Sequence, residues 1–121
     1  MEHLRKLGVE VLVGDLADAQ FARIAVRGRE VVLNAIGLAA DYGKFDVFYK
    51  ANVLATESVL GAAIDANVRR FVHASSYVVS LGGSFHHWRG WVITEQAPER
   101  PRFWRWDYYC RTKVPATCRN S

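Results

Sequence analysis

The segment Val31-Val32-Leu33-Asn34-Ala35 reads as a strand without polar/apolar alternation. A strand covered on both faces, as in a parallel sheet, has this pattern. Two comparable segments flank it: Val9-Glu10-Val11-Leu12-Val13, and the run Arg69-Arg70-Phe71-Val72-His73-Ala74-Ser75-Ser76. Helical periodicity fills the gaps. Leu4 to Leu7 end a first helix at Gly8. Asp18 caps a short helix over about Ala19 to Arg27, with Phe21, Ile24 and Ala25 on one face, and Gly28 ends it. A longer helix runs from about Lys44 to Ala66. Strand, helix, strand, helix, strand predicts right-handed crossovers and an α/β parallel sheet. Ligands in such sheets sit beyond the carboxyl ends of the strands, which here carry Asp15, Ala35 to Gly37, and Ser75-Ser76.

The long helix has an apolar stripe of Phe45, Phe48, Tyr49, Val53, Val59, Leu60, Ala63 and Ile64. Asn52 and Thr56 fall on the same stripe. An amide on a buried face needs a partner. Asn52 therefore either bonds a neighbouring backbone group or faces a ligand beyond the strand ends.

Several function classes are set aside by composition. With 121 residues the chain is one domain at most. No apolar run reaches the roughly 18 residues of a membrane span, and the opening Met1-Glu2-His3-Leu4-Arg5-Lys6 is no secretory signal. Cys110 and Cys118 fit no metal or redox spacing, which points to a reducing cytoplasm. His3, His73, His86 and His87 do not have metal-ligand spacing, so no metal is expected. The net charge of +4, with Arg100 to Lys113 interleaved by Trp104, Trp106, Tyr108 and Tyr109, has the footprint of a small basic nucleic-acid-binding module. Ordinary cation–aromatic packing explains it more simply, and no nucleic-acid partner is expected. From Tyr77 to Asp107 periodicity is weak, and Phe85, Trp88, Trp91 and Phe103 suggest a lid or pocket wall, or aromatics holding a long loop down.

Tyr109 and Lys113 are four apart and share a helix face. Tyrosine is a poor acid or base near neutrality, and an adjacent ammonium favours its phenolate. That makes Tyr109 a candidate proton shuttle. A serine closing the third strand could hold a substrate alcohol or carbonyl. Tyr-x-x-x-Lys alone is a weak signal; after a parallel-sheet pattern ending in Ser-Ser it is much stronger.

In this order, V-L-V-G-D-L-A-D at Val11–Asp18, V-V-L-N-A-I-G-L at Val31–Leu38, F-Y-K-A-N-V-L-A-T at Phe48–Thr56, V-R-R-F-V-H-A-S-S at Val68–Ser76, Ile93-Thr94-Glu95 and D-Y-Y-C-R-T-K at Asp107–Lys113 resemble the extended short-chain dehydrogenase/reductases. These include the NAD-dependent epimerase/dehydratase family, and Ala39 to Gly43 lean toward its 3-beta-hydroxysteroid dehydrogenase-like branch. The resemblance implies a partial Rossmann-like parallel sheet, strands 3, 4 and 5 of the doubly wound fold. It implies NAD or NADP as cofactor and a small-molecule substrate, sugar-nucleotide or sterol-like, changed at a hydroxyl or keto group. It also implies a homodimer as one option for an intact family member. By resemblance, Tyr109 is the general acid/base, Lys113 supports it and holds the nicotinamide ribose, and Ser76 bonds the substrate oxygen. Asp15 and Leu16 border the adenine, Ala35, Ile36 and Gly37 line the cofactor, and Asn52 reaches it.

The sequence also departs from the family pattern. The glycine-rich phosphate loop, expected roughly 60 residues before Asp15, is not formed by any of the nine glycines. In the usual strand order, Val9–Val13 would pair with a strand that is not here. It is therefore expected either to shift onto Val31–Ala35 or to remain poorly paired. Pro115 is expected to break the helix that follows Tyr109. Residues 1–113 then read as a fragment of an NAD(P)-binding domain and 114–121 as a non-family tail. Ala55 stands where the family favours Gly, and Ser80-Leu81 where it often has Tyr-Gly. The alternative to an active enzyme is a non-catalytic truncated remnant of the fold.

Overall fold

The computed structural model describes residues 2–40, 42–76 and 108–118, with side chains in the last segment through Lys113. The aromatic stretch Tyr77–Asp107, with Ile93-Thr94-Glu95 and the histidine pair His86-His87, lies outside the described residues. The elements run α1 (Glu2–Lys6), α2 (Ala19–Val26), β1 (Val31–Asn34), α3 (Phe45–Tyr49), a π-helical segment (Lys50–Leu54), α4 (Ala55–Asp65), β2 (Arg70–His73) and α5 (Tyr108–Cys118). The strands β1 and β2 pair in parallel, with Val31 opposite Arg70 and Asn34 opposite His73. A parallel pair joined through a helix is the α/β unit expected.

Local chemistry sets the helix limits. Asp18 accepts the Gln20 amide at 2.8 Å and so caps α2. Gly8 and Gly28 end their helices with φ of 75° and 69°, the left-handed conformation glycine adopts without steric cost. Asn67, with φ 51°, does the same after α4. The Val68 amide then closes the turn on the Ala63 carbonyl at 2.9 Å.

One core cluster joins Ala22 and Val26 of α2 to Val59 and Ala62 of α4, with Leu16, Val32, Ile36 and Phe71 packed against it. It covers the inner face of the two strands. The other face is open: Val31, Leu33 and Val72 are 47, 71 and 43 % exposed. A second cluster is aromatic. Tyr108 meets Phe45 and Phe48 edge to face, with centroids 5.5 and 6.0 Å away, and the Arg111 guanidinium lies 4.9 Å over the Phe45 ring. These contacts seat α5 on α3. Among the described residues no helix is long and apolar enough to cross a membrane.

The open face corrects the expectation that Val31–Ala35 is covered on both sides, and four further expectations are corrected. Val9–Val13 is not a strand: it pairs with neither β1 nor β2, and a strand requires a neighbour, which it does not find among the described residues. It is held instead by an Arg29–Glu10 ion pair and by the Val9 amide on the Leu4 carbonyl at 3.1 Å. Of the two outcomes expected for it, the poorly paired one is observed. The face of α2 is set by Ala22 and Val26, and Ile24 is 47 % exposed. Ile64 is likewise turned to solvent, at 67 %. The extra residue accommodated in the π-helical turn shifts the phase of α4 relative to an uninterrupted 3.6-residue stripe. Finally, α5 continues through Pro115 to Cys118. The proline removes one amide, so the loss falls on a single i→i−4 bond, to the Arg111 carbonyl.

Candidate functional site

The carboxyl ends of β1 and β2 meet at Lys113. Its side chain leaves α5 and is 4 % exposed. Nζ donates to the Ile36 carbonyl at 3.2 Å and to the Ala74 carbonyl at 3.4 Å. One ammonium thus ties together the exits of both strands. Burial holds it below the ordinary lysine range, since a charge is costly away from water.

Behind Lys113 lie two buried amides. Asn52, fully buried in the π-helical segment, grips Leu38 on both sides. Its Oδ1 accepts the Leu38 amide at 2.6 Å and its Nδ2 donates to the Leu38 carbonyl at 3.2 Å. Nδ2 also donates to Thr112 Oγ1 at 2.8 Å. The Thr112 hydroxyl in turn reaches back to the Tyr108 and Tyr109 carbonyls at 2.7 and 3.0 Å. Asn52 therefore fixes the loop after β1 against the helix that carries Tyr109 and Lys113. Asn34, 2 % exposed at the end of β1, accepts the Ile36 amide on Oδ1 at 3.2 Å. Its Nδ2 faces His73 Nδ1 at 3.0 Å and Thr56 Oγ1 at 3.4 Å.

The remaining residues singled out in the sequence distribute around this centre. Tyr109 is half-buried, one turn before Lys113 on α5. Ser76 is half-buried, three residues beyond β2. Ala35 and Gly37 are exposed and Ile36 is half-buried. Asp15 stands apart at the mouth of a groove of about 370 Å³ bordered by Asp46, Val47, Lys50 and Ala51. There Asp15 pairs with Lys50 at 2.6 Å and accepts the Ala17 amide at 2.9 Å. The hydrogen bond from Lys50 holds its carboxyl below the usual range, though the pair is open to solvent. Leu16 is half-buried and packs on the core.

Lys113, Asn52, Ile36 and Gly37 are thus brought together at the carboxyl edge of the strand pair, Asp15 lies in the groove beside it, and Tyr109 and Ser76 are placed by their positions on α5 and after β2. The sequence pattern did not reveal Asn34 or His73. The available signal was a polar residue at the same late position in each of two apolar strands, which parallel register brings face to face.

Comparison with known proteins adds to this geometry. The family model for the 3-beta hydroxysteroid dehydrogenase/isomerase family matches residues 1–116. The chain is 33 % identical over 82 residues to a 4-hydroxy-2-methyl-3-oxo-4-farnesyl-3,4-dihydroquinoline-1-oxide ketoreductase of Stigmatella aurantiaca, covering 68 % of this chain and 25 % of the relative. It is 34 % identical over 73 residues to a 2-alkyl-3-oxoalkanoate reductase of Stenotrophomonas maltophilia, covering 60 % and 22 %. Among solved structures, a short-chain dehydrogenase/reductase superfamily protein of Agrobacterium tumefaciens, determined with bound NAD, superposes with a TM-score of 0.73 at 28 % identity. That match covers 96 % of this chain and 38 % of the neighbour. The chain spans about a quarter of the length of the curated relatives it matches.

Proposed function

The chain belongs to the 3-beta hydroxysteroid dehydrogenase/isomerase family, and on that premise we propose that it carries the proton-transfer segment of an NAD(P)-dependent oxidoreductase. The substrate class is a small molecule with a hydroxyl or keto group, sterol-like or sugar-nucleotide. The keto substrates in the relatives' names weigh toward the less polar of the two. The observation that carries the reading is the buried Lys113 ammonium, anchored on the strand exits one turn from Tyr109.

The residues present suit the nicotinamide ribose end of such a cofactor. An ammonium at the carboxyl edge of a parallel pair, beside the exposed backbone of Ala35 and Gly37, matches the hydroxyls of a ribose. Lys113 would hold that sugar, and Ala35, Ile36 and Gly37 would line it. Asp15 and Leu16 would border the adenine. The bound dinucleotide would supply or take the hydride.

The chain's own residues do the rest. The Tyr109 phenol oxygen gives a proton to, or takes one from, the substrate oxygen. The Ser76 hydroxyl orients that oxygen. Lys113 sits one turn along the same helix, with its ammonium on the Ile36 and Ala74 carbonyls. Asn52 sets the spacing between the cofactor-lining loop and the Tyr109–Lys113 helix through Leu38 and Thr112.

Titration of the chain with NADH and NADPH, followed by nicotinamide fluorescence, tests the reading. Binding is expected, weakened about tenfold or more by Lys113→Met. No binding of either dinucleotide up to about 1 mM overturns it.

A further inference from the structure

Lys113 is held by two carbonyls, those of Ile36 and Ala74. The amides of the same two residues share one partner. The Ile36 amide donates to the Asn34 side chain at 3.2 Å, and the Ala74 amide to the Asn34 backbone carbonyl at 2.8 Å. Both cradling residues are therefore tied from behind to Asn34. The Asn34 amide orientation follows from the same network. Oδ1 is taken by the Ile36 amide, so Nδ2, a donor only, is what faces His73 Nδ1. His73 Nδ1 must accept, which places the imidazole proton on Nε2. That atom is buried and has no partner among the described residues.

We propose that Asn34 and His73 are a positioning pair that seats the Lys113 ammonium, and that the seat holds only while the His73 imidazole is neutral.

A proton added to Nδ1 would set two donors against each other at 3.0 Å. Turning over the Asn34 amide relieves the contact, and it puts Nδ2 against the Ile36 amide and releases it. The Ile36 carbonyl then loses its fixed position, and the Lys113 ammonium loses one of the two carbonyls that seat it. The surroundings agree with a neutral ring. β1 presents Asn34 to His73, α4 reaches the same amide through Thr56, and α5 brings Lys113 onto the neighbouring Ala74 carbonyl. Among the described residues Lys113 is the charged group acting on the ring. Burial first, then the Lys113 charge, keeps His73 below the ordinary histidine value.

The pair serves the proton-transfer site proposed above, but its test follows Lys113 directly, without cofactor. A negative result therefore leaves the dinucleotide titration to stand or fall by itself. The chain is labelled with ¹³C at lysine Cε and at histidine Cε1. Lys113 is identified by loss of its signal in Lys113→Arg, and His73 by loss of its signal in His73→Gln. On acidification, the Lys113 resonance is expected to shift in a step that coincides with titration of the His73 ring. In His73→Gln, which keeps a neutral acceptor for Asn34 Nδ2, the step should vanish while Lys113 stays at its alkaline position. In Asn34→Asp, which replaces the donor by an anion, His73 should titrate at higher pH. A Lys113 signal with no acid step, a step that survives His73→Gln, or a His73 titration unmoved by Asn34→Asp overturns the proposal.

Discussion

A Cβ added at Gly37 would lie 3.0 Å from Lys113 Nζ and 3.2 Å from its Cε. The loop leaving β1 therefore lies directly against the lysine, with no space for a methyl group between them. Its neighbours on either side are pinned as well, Ile36 by Asn34 and Leu38 by Asn52. The loop, two buried amides and one ammonium form a single rigid joint between the sheet and α5.

Gly37→Ala tests that joint. The methyl group can be accommodated only if Nζ moves by a few tenths of an ångström, away from carbonyls it already bonds. A loss of about 1 kcal/mol in urea unfolding is expected, with NADH binding weakened more than stability.

Lys113→Met separates stability from function. The thioether side chain keeps much of the packing and removes a charge that is costly to bury. The melting temperature is expected to hold or rise, while nicotinamide binding falls. A large loss of stability would show that the ammonium is a net structural asset.

Asn52→Leu should be among the most damaging single changes. It removes the side-chain partner of the Leu38 amide and carbonyl and the donor to Thr112 Oγ1, whose hydroxyl keeps the Tyr108 and Tyr109 carbonyls. The expected cost is about 2–3 kcal/mol in urea denaturation. Asp18→Ala, which removes only the α2 cap, is the milder comparison at about 1 kcal/mol.

Stability should depend on pH through the same residues. The unfolded chain protonates His73 near its ordinary value of about 6.5, whereas the folded chain resists to lower pH. Between these values the unfolded state holds more protons. Stability is therefore expected to fall as pH drops below about 6.5 and to level off below the folded value. The Lys113 contribution lies at the alkaline end: stability rises as pH climbs from its depressed value toward about 10.4. Urea midpoints across this range, with His73→Gln flattening the acid limb, check both signs.

Much of this architecture was legible in the chain. The Asp18 cap, the stops at Gly8 and Gly28, the segments containing β1 and β2, and the Tyr109–Lys113 spacing are local signals, and each follows from local chemistry. Features that escaped are relations between distant segments. Val9–Val13 has the composition of a strand, but pairing depends on a neighbour that its own residues cannot supply. The Asn34–His73 contact exists only because the register brings position 34 opposite 73. The open face at Leu33 contradicts the two-sided burial that its apolar pattern implied. Pro115 was expected to end α5, yet it removes only one backbone donor and the helix continues.

The π-helical segment Lys50–Leu54 has a further consequence. Upstream of it the helix faces α5 with Phe45 and Phe48. Within it Asn52 grips the loop after β1, and downstream Val59 and Ala62 face α2 and β1. The segment is a phase adjuster between two gears that must mesh with different partners. Adding or removing one residue in the regular helix just after it, with no second π turn to absorb the change, would turn everything beyond by about 100°. The core and the lysine seat could then no longer engage the same helix together. At this position the number of residues matters as much as their identity.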